Sequence, residues 1–191
     1  MKLIFLLLTI LTFQFQTLLA AQFIKGYYYD TNGRKIEGLI KFNRAKSYLV
    51  GGKPSNIQFK TNASSKAIKL TTDDISSFVI EKDSFTIVYN IKISSVSGKY
   101  AKDFAQVVKI GAINLFLHKS IISDGQRSYE HETYIISRGS KYLGIWDYNY
   151  QRIEIAEYFS ERVDLRARIM DKKDETPLLA LIEEFNKTTS R

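Results

Sequence analysis

Over residues 23–147 the chain repeats one unit: a short run rich in Val, Ile, Tyr, Phe and Thr, then a break containing Gly, Asn, Asp or Ser. Such runs point their side chains alternately to two faces, and a chain made of many of them must bury one face of a sheet. This confines the fold to a β-rich one before any single residue is considered. Residues 23–30 and 34–42 flank Thr31-Asn32-Gly33 and predict a hairpin, with Asn32 and Gly33 supplying the positive-φ positions of the turn. In its second strand Ile36, Gly38 and Ile40 share the face expected on the core, opposite Ile24, Gly26 and Tyr28.

Residues 43–55, with Gly51, Gly52 and Pro54, read as a loop carrying one short strand near 48–50. Short strands are expected at 57–60 and 67–70, and a second hairpin at 77–81 and 85–93. Beyond a polar bridge at 94–102, the runs 104–110 and 112–119 meet at Gly111, either as one bent strand or as a hairpin. Residues 129–137 and 141–147 predict a further hairpin about Arg138-Gly139-Ser140.

The period changes after Trp146. Residues 151–159 place Ile153 and Ala156 on one helical face, and Ser160 stands as cap for a helix over 161–170 with Val163, Leu165 and Ile169 as its stripe. Thr176 and Pro177 then open a helix with Leu178, Leu181, Ile182 and Phe185 at helical spacing. The fold expected is therefore α+β: antiparallel β-sheet units over about 23–147, followed by two or three C-terminal helices. Residues 22–93 form a basic β unit, and residues 103–188 form a second β unit with the helices, in one domain or in two.

Met1 and Lys2 precede an almost unbroken apolar run at 3–11, and Ala20 and Ala21 supply small residues, the order of a secretory signal. Residues 1–21 are expected to be a signal peptide, which places the protein in the periplasm, at the outer membrane or outside the cell. After cleavage no other run approaches the roughly 20 apolar residues that a spanning helix needs. With no cysteine, a disulfide scaffold, a thiol nucleophile and a Cys-ligated zinc or iron–sulfur site are excluded.

The formal net charge of +8 is unevenly spread. Residues 22–70 hold ten Lys and Arg against two acidic residues, whereas residues 71–191 hold seventeen against eighteen. A one-sided basic region concentrates polyanions. The partner expected is an anionic envelope glycan or an envelope protein rather than nucleic acid, which export disfavours. Candidate ligand contacts are Lys41, Arg44 and Lys46 within the basic region, and the alternating aromatics Tyr27 and Tyr29, and Trp146 and Tyr148, which can stack on sugars.

Signs of catalysis are sparse. Gly-x-Ser-x-Gly, phosphate-loop and dinucleotide motifs are absent, so no catalytic residue is assigned and no cofactor is expected. The two histidines, His118 and His131, are weak metal candidates that could meet only if their strands pair. A hydrolase acting on envelope or extracellular polymers remains the alternative to a non-catalytic binding or assembly module.

The segments GYYYDTNGRKIEGLI (residues 26–40), DFAQVVKIGAINLFLH (103–118), EYFSERVDLRARI (157–169) and LLALIEEFN (178–186) resemble a family of small exported β-rich proteins of Bacteroidota-type bacteria. The resemblance implies location in the envelope or beyond it. It carries no activity and no catalytic residues.

Overall fold

The structure is a computed structural model that describes residues 23–48, 52–92, 99–123 and 125–189. The expected signal peptide, the expected strand residues 49 and 50, and most of the polar bridge at 94–102 lie outside the described residues. Twelve strands form one sheet: β1 Ile24–Asp30, β2 Lys35–Asn43, β3 Ala45–Tyr48, β4 Gly52–Lys53, β5 Asn56–Lys60, β6 Ile68–Leu70, β7 Ile75–Ile80, β8 Asp83–Lys92, β9 Lys99–Lys109, β10 Asn114–Ser123, β11 Ser128–Arg138 and β12 Lys141–Ile145. Three helices follow, α1 Arg152–Glu157, α2 Val163–Met170 and α3 Leu178–Thr189.

The sheet runs β12-β11-β10-β9-β8-β7-β1-β2-β5-β6, every neighbour along this path antiparallel. It is not purely antiparallel, because β3 adds to β10 in parallel. The strands therefore form a mixed sheet, curled into a half-barrel. Curling brings distant strands together: Phe42 of β2 packs 5.2 Å from Phe78 of β7 and 5.0 Å from Phe85 of β8, across β1.

Local chemistry accounts for the turns. Asp30 Oδ1 accepts the backbone N–H groups of Asn32 and Arg34 at 2.9 and 2.8 Å, and Gly33 alone in that turn has positive φ, at 78°. The first turn thus differs from the expected one, since Asn32 keeps negative φ and the Asp30 side chain closes the loop. The Gly111 region is a hairpin between β9 and β10, and a Cβ on Gly111 would collide with Asn186 of α3.

Three apolar clusters lie on defined faces. Tyr28, Ile40, Ile57, Phe59, Phe78 and Phe104 fill the N-terminal curl. Val88, Ala105, Phe116 and Ile135 belong to a second cluster inside the C-terminal curl. Phe104 and Ala105 are consecutive in β9, so these two clusters sit on opposite faces of the same strand. The third cluster joins Ile113, Leu115 and Ile136 on the outside of β10 and β11 to Ile155, Phe159, Leu165, Ile169, Leu181 and Phe185 of the helical region.

Helix entry also departs from expectation. The residue preceding α2 is Arg162, which makes no side-chain cap, and the Ser160 hydroxyl instead accepts a hydrogen bond from Arg138 at 3.4 Å. The Thr176 hydroxyl accepts from Arg168 at 2.8 Å. Ionic side chains thereby take over work that capping hydroxyls do elsewhere: Arg162 binds Asp164 and Glu184, and Arg168 binds Asp174 and Glu184.

Candidate functional site

Strand register assembles a surface from residues that are scattered in sequence. Tyr28, Ile40, Ile57 and Phe59 are buried, so by alternation the other side of β1, β2 and β5 faces outward. Cross-strand partners share a face. Lys25 lies opposite Leu39, Tyr27 opposite Glu37 and Tyr29 opposite Lys35; Leu39 lies opposite Lys60, Lys41 opposite Gln58, and Gln58 opposite Lys69. The outward face of β1, β2, β5 and β6 therefore carries Lys25, Lys35, Lys41, Lys60 and Lys69 beside Tyr27 and Tyr29, with Glu37 as its carboxylate.

The spacing of the charges is regular. Lys25 and Lys60 flank Leu39, and Lys41 and Lys69 flank Gln58, so each pair stands two strands, about 10 Å, apart. No two of these lysines oppose each other directly, which avoids the destabilising like-charge pairing. The aromatic groups are held by the same side chains. Tyr27 and Tyr29 meet edge to face at 5.7 Å, Lys35 Nζ stands 4.1 Å from the Tyr27 ring centre, and Lys60 Nζ 4.8 Å from that of Phe23. Lys35 also donates to Glu37 at 2.6 Å, which raises the lysine pKa and lowers that of the carboxyl.

The other residues singled out in the sequence lie elsewhere. Arg44 pairs with Glu130 of β11. Lys46 is exposed on β3, opposite Lys53 of β4, while its carbonyl accepts the Tyr100 hydroxyl at 3.0 Å. Trp146 follows β12, at the other end of the strand order, where its ring sits 5.3 Å from Tyr150 and 5.4 Å from Lys92 Nζ. Tyr148 packs against the helical cluster beneath Arg152, and burial pushes its hydroxyl pKa up. The structure thus brings Lys41, Tyr27 and Tyr29 together and separates Trp146 and Tyr148 from them. Lys25, Lys35, Lys60 and Lys69 were not singled out from the sequence, and the signal that finds them is their parity within paired strands.

A second constellation lies inside the C-terminal curl. β9 and β10 pair only through Lys109, Val107 and Gln106 against Leu115, Phe116 and Leu117. Below that point they separate, and β3 takes the vacated edge of β10. Asp103 and His118 bridge the fork, both fully buried, with His118 Nε2–H donating to Asp103 Oδ2 at 2.8 Å. The other carboxylate oxygen accepts the backbone N–H groups of Ser55 and Phe104, each at 2.9 Å, and the Ser55 hydroxyl. Four donors on one buried carboxylate replace the ladder bonds lost where the strands part.

His118 does not meet His131 directly. His118 lies opposite Thr133 and His131 opposite Ser120, which makes the two histidines diagonal neighbours on one face. Among the described residues no group of three or more His, Cys, Asp or Glu side chains could hold a metal ion. A cleft of about 400 Å³ beside Tyr148, Arg152 and Asp174 is occupied by internal bonding, since the Arg152 guanidinium donates to Asn149 and to the carbonyls of Ile169 and Asp171. The chain matches no family model, no curated protein and no solved structure. Among the described residues, no helix is long and apolar enough to cross a membrane.

Proposed function

We propose that this protein is an exported, non-catalytic binding module of the cell envelope that holds an anionic glycan on the outward face of β1, β2, β5 and β6. The observation that carries the reading is the convergence of Lys25, Lys35, Lys41, Lys60 and Lys69 on one sheet face beside Tyr27 and Tyr29. Lysines at regular spacing match repeated negative charge, and tyrosine rings offer flat apolar surface to sugar rings. Export rests on the basic, apolar and small-residue order of residues 1–21.

A hydrolase reading is less well supported. Its best acid–base pair, Asp103 and His118, is fully buried, out of reach of a polymer chain.

The test is binding of purified protein to an acidic polysaccharide such as polygalacturonate, with neutral dextran as control, across a salt series. Expected is binding to the acidic polymer alone, weakening as salt rises, and its loss when Lys25, Lys41 and Lys60 are together changed to Glu. Binding untouched by that triple reversal would remove the sheet face from consideration, and retention of an envelope protein in place of the glycan would turn the reading to a protein partner.

A further inference from the structure

The fork between β9 and β10 leaves four buried polar atoms with no hydrogen-bond partner: Ser47 Oγ, His118 Nδ1, Ser120 Oγ and Thr133 Oγ1. All four residues are fully buried. Their register puts them on one concave patch. Thr133 lies opposite His118, Ser120 follows His118 two residues along the same face, and Ser47 lies beside Ile122 on the parallel strand β3. Buried polar groups in folded proteins are almost always satisfied, and four orphans on one patch require an occupant that supplies their bonds.

The chemistry of the patch selects that occupant. Asp103 accepts a proton from His118 Nε2, which leaves Nδ1 of the neutral ring as an acceptor facing three hydroxyls that can each donate or accept. The Asp103 carboxylate is already engaged by four donors, so it has little to offer a cation. Besides His118, the buried basic side chain among the described residues is Arg152, which is bound in the helical region, so an anion would find no countercharge here. Around the polar atoms stand apolar groups, Phe116, Ile135, Val88 and Ala45, with the Tyr100 ring 5.8 Å from that of His118. Apolar walls with a few convergent polar groups are the usual composition of a small-molecule site.

We propose that the interior of the C-terminal curl is a binding site for a small neutral polyhydroxy compound, held by His118 Nδ1 and the hydroxyls of Ser120, Thr133 and Ser47, with Asp103 as the residue that fixes the histidine tautomer. This site is distinct from the lysine face and does not depend on it. A polyol fits because each of its hydroxyls can donate to Nδ1 while accepting from a Ser or Thr.

The test uses the purified protein with glycerol, myo-inositol and D-glucose as probes, reading the ¹⁵N resonances of the His118 imidazole and a crystal grown with each probe present. The expected result is a saturable shift of the Nδ1 resonance with at least one probe, and density for that probe against His118 and Thr133. Thr133→Val should weaken it about tenfold, as loss of one buried hydrogen bond does, while Thr133→Ser restores it. Ser120→Ala serves the same purpose should Thr133→Val fold poorly. Ordered water alone at all four atoms, with an Nδ1 resonance unmoved by every probe, would overturn the proposal. The lysine-face reversals should leave this binding unchanged, so failure here and failure of glycan binding are separable.

Discussion

The two ends of the sheet treat their convex faces in opposite ways. On β10, β11 and β12 the outward side carries Leu115, Ile136, Leu143 and Ile145, and the three helices close over it. On β1, β2, β5 and β6 the outward side carries lysines and tyrosines, and no described element packs on it. Both regions satisfy the same requirement of one buried face per strand, but the C-terminal strands are apolar on both sides and need a cover, whereas the N-terminal strands alternate and do not. A face left open and charged by this pattern is free to meet another molecule.

Removing the cover should have the largest effect. Phe185 of α3 is buried against Phe159, with ring centres 5.5 Å apart, and Phe185→Ala should destabilise the fold by about 3–5 kcal/mol, read by urea denaturation. Polygalacturonate binding by the protein that remains folded should be unchanged; a parallel loss of binding would show that the two faces are not independent.

The fork that joins the two curls comes close behind. Asp103→Ala leaves the Ser55 and Phe104 N–H groups and His118 Nε2 without their acceptor, at a cost of about 3–5 kcal/mol. A loss below about 1 kcal/mol in the same denaturation assay would mean that water replaces the carboxylate and that the fork is open to solvent.

On the open face, stability and binding should separate. Reversal of Lys25, Lys41 and Lys60 should change stability by no more than about 0.5 kcal/mol per site while abolishing glycan retention. Reversing Arg44 and Lys46 instead should weaken retention only slightly, because Arg44 is paired with Glu130 and Lys46 lies on β3. Equal effects of the two sets would merge the face with the β3 edge.

The smallest effect expected is on acid stability at the covered end. Hydrogen bonds from the Thr176 hydroxyl and backbone, and from Arg168, hold Asp174 down to about 2, and Arg162 does the same for Asp164. A carboxyl whose folded pKa is depressed contributes stability above its unfolded pKa and loses it as pH falls through the folded one. Melting temperature should therefore fall between about pH 4 and pH 2, and Asp174→Asn should flatten that part of the profile. An unchanged profile would place the acid sensitivity elsewhere.

Much of the scaffold was legible from period and punctuation. The hairpin of β1 and β2 with Ile36 and Ile40 inward, the turn at Gly139, and the helix carrying Leu181, Ile182 and Phe185 all follow from local rules. The lysine face was only half legible, because alternation says that Lys25 and Lys41 face away from Ile40 but not which strand brings Lys60 beside them. Ala45-Lys46-Ser47-Tyr48 gave no readable strand signal, being too short and mixed to show a period.

By itself the sequence determined the number and direction of the β runs, the side on which each residue stands, the helical end and the uneven charge. Tertiary structure alone decided that β9 and β10 part after three residue pairs, that β3 fills the gap in parallel, and that Asp103 meets His118 inside it. The physical reason is that side-chain periodicity is a property of one strand. Pairing is settled by which backbone groups would otherwise be buried without partners, and that depends on every strand at once.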